Sequence, residues 1–154
     1  MTYAAITLLP GCSTDSGEGA VLKKRNPDNQ IKSFVKDLAN KDLYKRKHAA
    51  WMLARLAQKG KTAYIVQAGA VPMLAKCLED REMIVKYRAV WALGLLAKHG
   101  QATIVREAKV EPILQDMAQD TTEVETCQAH TGELTNTTLG KLAEEALKYI
   151  GVKT

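Results

Sequence analysis

Residues 87–97 read Tyr87-Arg88-Ala89-Val90-Trp91-Ala92-Leu93-Gly94-Leu95-Leu96-Ala97. Forty places earlier, residues 47–57 read Lys47-His48-Ala49-Ala50-Trp51-Met52-Leu53-Ala54-Arg55-Leu56-Ala57. Ala49, Trp51, Leu53, Leu56 and Ala57 recur unchanged at Ala89, Trp91, Leu93, Leu96 and Ala97. Extending the comparison to 41–80 against 81–120, without a gap, adds Gly60 with Gly100, Ala68 with Ala108, Pro72 with Pro112, Leu74 with Leu114 and Asp80 with Asp120. The result is ten identities in forty places, mostly apolar, Gly or Pro. A structural unit that packs against its own copies preserves residues of this kind, and such a period marks a solenoid.

Each unit reads as three helices. The first is short, Lys61 to Ala68 or Gln101 to Ala108, and follows a Gly able to close the preceding helix in a left-handed conformation. The second opens near Pro72 or Pro112, since proline suits a first helical turn where its missing N–H has no partner to lose. It runs to about Glu79 or Gln119. The third is long, Asp42 to Lys59 and Glu82 to His99. Its apolar residues recur at helical spacing, Ala50, Leu53, Leu56 and Ala57, then Val90, Leu93, Leu96 and Ala97. That stripe is the expected core.

Partial copies flank these units. Ile31, Phe34, Val35 and Leu38 stand forty residues before Val71, Leu74, Ala75 and Leu78, so residues 30–39 read as the second helix of an incomplete first unit. Leu139, Leu142, Ala143, Ala146, Leu147 and Ile150 form an apolar helical face before Gly151. Aligning Gly151 with Gly100 leaves about eleven extra residues in the last unit, in the polar stretch Thr121 to Thr138. Thr, Glu and Gln dominate that stretch, and it reads as a loop. The expected organisation is a flexible tail over 1–29 and a repeat domain over 30–154, with a polar loop at about 121–137.

Composition agrees with helices stacked through small residues. The chain has 154 residues, with 46% hydrophobic, 25% charged and only 5% aromatic residues, so Ala and Leu supply the core. No apolar run approaches the roughly 18 residues of a membrane helix. The net charge of +5 is uneven: residues 1–61 hold 12 basic and 5 acidic side chains, residues 62–154 hold 10 and 12. Lys23-Lys24-Arg25 and Lys45-Arg46-Lys47 are clusters that an acidic protein, a nucleic acid or an import receptor could read; the plain reading is a solvated tail and a solvated helix edge. The aromatic and basic interleaving of a nucleic-acid platform is missing. Cys12, Cys77 and Cys127 form no disulfide framework, and Met1 to Cys12 lacks the basic start of a secretory signal. The expected location is therefore the cytoplasm.

The stretch Ile65-Val66-Gln67-Ala68-Gly69-Ala70-Val71-Pro72-Met73-Leu74, followed by residues 87–97, resembles an armadillo repeat, with the two-helix HEAT arrangement as the structural alternative. The resemblance is close over 41–120, weaker over 30–40 and 138–151, and absent over 1–29. It implies an all-α, right-handed helical solenoid whose third helices line a concave groove for extended peptides or partner proteins. Helical geometry indicates independently which side chains stand displaced from the apolar stripe: Lys47, His48, Trp51 and Arg55, then Tyr87, Arg88, Trp91 and Leu95. Two Trp at equivalent positions would stand about 10 Å apart, one helix spacing. The other reading places both rings in the core between repeats.

In importin-α, a peptide-binding armadillo protein, each groove Trp is followed four residues later by an Asn that holds the peptide backbone. Here those positions are Arg55 and Leu95, which argues against nuclear localisation peptides. Lys47, Arg55 and Arg88 favour an acidic ligand instead, as the basic groove of β-catenin does. Leu96-Ala97-Lys98-His99, with Val85-Lys86-Tyr87 upstream, also resembles the armadillo proteins of the ciliary central apparatus. The alternative function is accordingly a structural subunit of a cytoskeletal or ciliary assembly.

Enzyme chemistry finds few components. His48, His99 and His130 and the three Ser are scattered, without a nucleophile elbow or phosphate-binding Gly loop. Cys127 and His130 have the spacing of half a zinc site, but no second pair accompanies them. Cys77, matched by Met117 in the next unit, reads as a core thiol. The expectation is a non-catalytic protein-binding scaffold without metal or cofactor.

Overall fold

A computed structural model describes residues 26–127 and 134–152. Its helices are α1 (Pro27–Asp37), α2 (Leu43–Gln58), α3 (Thr62–Gln67), α4 (Ala70–Cys77), α5 (Met83–Leu96), α6 (Ala102–Glu107), α7 (Glu111–Met117) and α8 (Leu139–Ile150). Strands β1 (Glu123–Cys127) and β2 (Leu134–Thr138) lie between α7 and α8. The expected first, second and third helices of both full units are present. Helix α1 is the second helix of the incomplete first unit, and α8 the third helix of the last.

The turns repeat in conformation as well as in sequence. Gly60 and Gly100 both take a left-handed backbone, φ 77° and 95°, where each long helix turns into the next short one. Gly69 (φ 77°) and its counterpart Lys109 (φ 56°) do the same between first and second helices. Unlike Gly69, Lys109 carries a Cβ in this region, so the repeat dictates the backbone even where the residue does not favour it. The second long helix leaves helical geometry at its expected end, where His99 (φ −97°, ψ 33°) and Gly100 break the chain before α6, just as Lys59 and Gly60 do after α2.

Helices α2, α5 and α8 pack side by side in that order, α5 between the other two. The order explains their surfaces. Helix α5 is apolar nearly all round, with Val85, Ala89, Val90, Leu93 and Leu96 fully buried. Helix α8 buries Leu142, Ala143, Ala146, Leu147 and Ile150 and exposes Lys141, Glu144, Glu145 and Lys148. In the register of Gly100 and Gly151, those four charges fall where α5 carries Val90, Leu93, Gly94 and Ala97. Among the described residues, the helix that receives a third-helix neighbour on both sides is apolar on both, and the one with such a neighbour on one side is charged on the other.

Two expectations about boundaries need correction. Residues 1–25 of the expected tail lie outside the described residues, but helix already begins at Pro27. Asn26 Oδ1 accepts a hydrogen bond from the Asp28 N–H (3.1 Å), and Pro27 takes the first helical position. The expected polar loop at 121–137 contains an antiparallel hairpin, with Val124 opposite Thr137 and Glu125 opposite Asn136. Its composition is polar, yet Thr and Val favour strands, and Val124 turns its side chain into the core at 5% exposure. The hairpin delivers the chain to α8 through two backbone bonds, Leu139 N–H to Thr122 O (2.9 Å) and Gly140 N–H to Asp120 O (2.8 Å).

Candidate binding surface

The helices that carry the eight candidate residues share one electrostatic property. Helix α2 holds Lys45, Arg46, Lys47 and Arg55 and no acidic residue, and α5 holds Lys86 and Arg88 and no acidic residue. On α2, Lys47, His48, Trp51 and Arg55 are all half-buried. The Lys47 ammonium stands 4.4 Å from the Tyr44 ring centroid, and the Arg55 guanidinium 5.2 Å from that of Trp51. His48 lies between Phe34 of α1, edge-on at 6.0 Å, and Trp51 at 6.2 Å. Tyr44, which the periodicity had not singled out, is the most exposed large apolar side chain of the group, at 69%. It lies one helical turn before His48, a spacing that would have revealed it.

The counterparts on α5 are held more tightly. Arg88 and Leu95 are half-buried, whereas Tyr87 and Trp91 are each only 9% exposed and belong to the core. The expected equivalence of the two Trp therefore fails. Trp91 sits on a helix enclosed by α2 and α8, while α2 has a third-helix neighbour on one side only among the described residues. Arg88 reaches back to α2, where its Nη1 donates to the Lys47 carbonyl at 2.8 Å. Tyr44, Lys47, His48, Trp51 and Arg55 thus lie along α2, and Arg88 joins them through Lys47.

A second correction concerns the cluster Lys45-Arg46-Lys47. Arg46 does not belong to a solvated edge: it is 8% exposed and pairs with Asp80, Nε to Oδ2 at 2.8 Å. Its Nη1 also donates to the carbonyls of Asn40 (3.0 Å) and Lys41 (2.9 Å). The pair ties the third helix of one unit to the end of the second helix of the next. Its sequence signal is periodic: Asn40, Asp80 and Asp120 each accept, through Oδ1, the N–H two residues on, and Arg46 recurs as Lys86. The conserved acid at 80 and 120 was visible; its basic partner 34 residues earlier was not.

Cys77 is a buried thiol, as its equivalence to Met117 in the next unit suggests, and its Sγ donates a hydrogen bond to the Leu38 carbonyl at 3.8 Å. Burial, then the nearby Asp80 carboxylate, push its pKa from 9.0 to about 11, with Arg46 opposing. It stays a neutral thiol at physiological pH. The side chains of Cys127 and His130 lie outside those described.

A family model described as HEAT-like repeat matches residues 44–96. No curated protein matches the chain. Among solved structures, an engineered protein aligns with a TM-score of 0.65 and 25% identity, over 79% of this chain and 45% of its own. A designed armadillo repeat protein in complex with the peptide (KR)4 aligns with 0.64 and 24%, over 80% and 47%. A further designed armadillo repeat protein aligns with 0.63 and 23%, over 80% and 48%. The chain thus spans less than half of each of these structures. A chain whose units each deliver a third helix to one continuous stack, and which superposes on designed armadillo proteins over four-fifths of its length, is an all-α repeat solenoid of the armadillo/HEAT type.

Proposed function

We propose that this solenoid is a non-catalytic protein-binding scaffold that takes an acidic, extended partner segment along the concave face of its third helices. The observation that carries the reading is that α2 and α5 hold no acidic residue, while Lys47, Arg55 and Arg88 stand half-buried along them and outside the Arg46–Asp80 pair. Trp51 supplies apolar contact, Lys47, Arg55 and Arg88 the charge, and Tyr44 and Leu95 the ends of the contact. Trp91 acts from beneath as a support. The designed armadillo protein that holds (KR)4 takes a basic peptide; here the sign of the helix charges calls for the opposite. Electrostatic complementarity of this kind sets partner choice and association rate more than it adds affinity.

The test is fluorescence anisotropy with a labelled twelve-residue peptide of alternating Glu and Leu, and a control of alternating Lys and Leu. The acidic peptide should bind and the basic one should not, with affinity falling as salt rises. Lys47→Glu and Arg55→Glu together should weaken binding by roughly tenfold or more. Equal binding of both peptides, or indifference to the two charge reversals, would overturn the proposal.

A further inference from the structure

The groove at the second junction between units differs from its counterpart at the first. It is a hollow of about 550 Å³ between α4 and α7, bounded by the starts of α5 and α8. That volume lies in the range of small-ligand and side-chain pockets. Leu78 and Leu139 form a buried floor, and Met83, Ile113 and Met117 are half-buried walls. Two of the three wall residues are Met, whose flexible thioethers adapt to different occupants. Leu139 is there because the hairpin sets α8 down at this point.

Its rim is acidic. Glu79 and Asp116 are exposed, Asp120 is half-buried, and Lys86 is the one cation of the lining. Three carboxylates against one ammonium leave a net charge of −2. Forty residues earlier the same rim positions are Ala39, Lys76, Asp80 and Arg46, which sum to +1. A hollow beside the first junction is lined by Lys41, Arg46, Asp80 and Arg81. There the Arg46 fork spans Asp80 and two carbonyls; Lys86, a single-point donor, replaces it at the second junction. Hydrogen bonds from Thr122 hold the Asp120 carboxyl below its ordinary pKa, and Lys86 adds to the effect, so Asp120 is ionised at neutral pH.

We infer that this hollow is a second docking site, which receives a bulky apolar side chain of a partner protein flanked on both sides by Lys or Arg. The apolar walls take the anchor, and Glu79, Asp116 and Asp120 face its basic neighbours. The site is separate from the basic helix faces and of opposite sign. The scaffold therefore offers one partner segment an electropositive surface and another an electronegative pocket.

The test titrates the full chain, labelled with ¹³C at its methionine methyls, with the peptide Gly-Lys-Lys-Leu-Lys-Lys-Gly. Methyls of Met83 and Met117 should shift saturably while that of Met52 does not. Replacing the central Leu by Gly, or all four Lys by Glu, should lower affinity roughly tenfold or more. Glu79→Lys with Asp116→Lys, both exposed and so safe for folding, should do the same, and Ile113→Glu should abolish the shifts. Lys47→Glu with Arg55→Glu should leave them unchanged, which separates this site from the groove. Absent shifts, or equal binding of the Glu peptide, would overturn the assignment. Shifts of Met83 and Met117 on concentrating the free protein would give the pocket to a second copy. Shifts caused by Lys23→Glu, Lys24→Glu and Arg25→Glu in the free chain would give it to the protein's own N-terminal segment. Either result would overturn the partner reading.

Discussion

Gly140→Ala tests how the hairpin fixes the last helix. Gly140 is the second residue of α8, and a Cβ there would lie 2.6 Å from the Ala118 carbonyl oxygen and 2.7 Å from that of Asp120. Both are backbone atoms at the end of the second helix, so no side chain can swing aside. Relief to an ordinary contact requires α8 to retreat by more than half an ångström, stretching the Gly140 N–H to Asp120 O bond of 2.8 Å. Overpacking of this kind costs about 1–3 kcal/mol, and a weakened backbone bond about 1 kcal/mol more. The helical preference of Ala over Gly returns at most about 1 kcal/mol. The net expectation is a loss of about 1–3 kcal/mol, read as a lower urea midpoint at unchanged m-value. Gly94→Ala is the control. Its Cβ would meet the Ala146 Cβ at 3.3 Å, a tight but side-chain contact, so helix preference and crowding should nearly cancel. Hydrogen exchange should show the loss in α8 first. A Gly140→Ala protein as stable as the parent would refute the close approach, and with it the placement of Leu139 in the pocket floor.

Three further outcomes follow from the packing. Arg46→Ala should cost about 2–4 kcal/mol by denaturant unfolding, because it strands a nearly buried Asp80 and two carbonyls, whereas Lys86→Ala should stay within about 0.5 kcal/mol. Trp91→Ala should cost about 3–5 kcal/mol and Trp51→Ala clearly less; equal costs would refute their different places in the stack. The raised thiol pKa of Cys77 favours the native state at low pH. Stability should therefore fall as pH rises from about 9 to about 11, and the fall should be smaller in Cys77→Ala. A pH-independent difference between the two proteins over that range would contradict the burial of the thiol.

Helix order and register were legible because the positions that decide them are apolar, Gly or Pro, and recur every forty residues. Ala49, Leu53 and Ala57, with 0% exposure, repeat as Ala89, Leu93 and Ala97, which are 0%, 0% and 5% exposed. The hairpin was not legible. Thr and Glu hide the alternation of a short strand, and Val124 alone turns inward among the described apolar side chains of β1. Trp51 and Trp91 misled for a different reason. Periodicity reports a residue's place within a unit, but burial depends on how many neighbours that unit has, which sequence similarity between units cannot express. The same limit applies to Arg46, whose charge suggested solvent and whose partner belongs to the following unit.

The apolar positions of a repeat are constrained because they meet other repeats, so variation accumulates at positions that do not. Arg46 against Lys86, Lys76 against Asp116 and Ala39 against Glu79 are differences of this kind. Together these replacements turn a rim of net charge +1 into one of −2. No helix has to move for this to happen. The left-handed turn persists even when Gly69 becomes Lys109, which shows how firmly stacking dictates conformation. A solenoid can thus hold surfaces of opposite sign within one stack, and recognition is encoded in differences between units, which a search for identities passes over. In this chain the identities name the architecture, and the places where the forty-residue copies disagree are where partners should be sought.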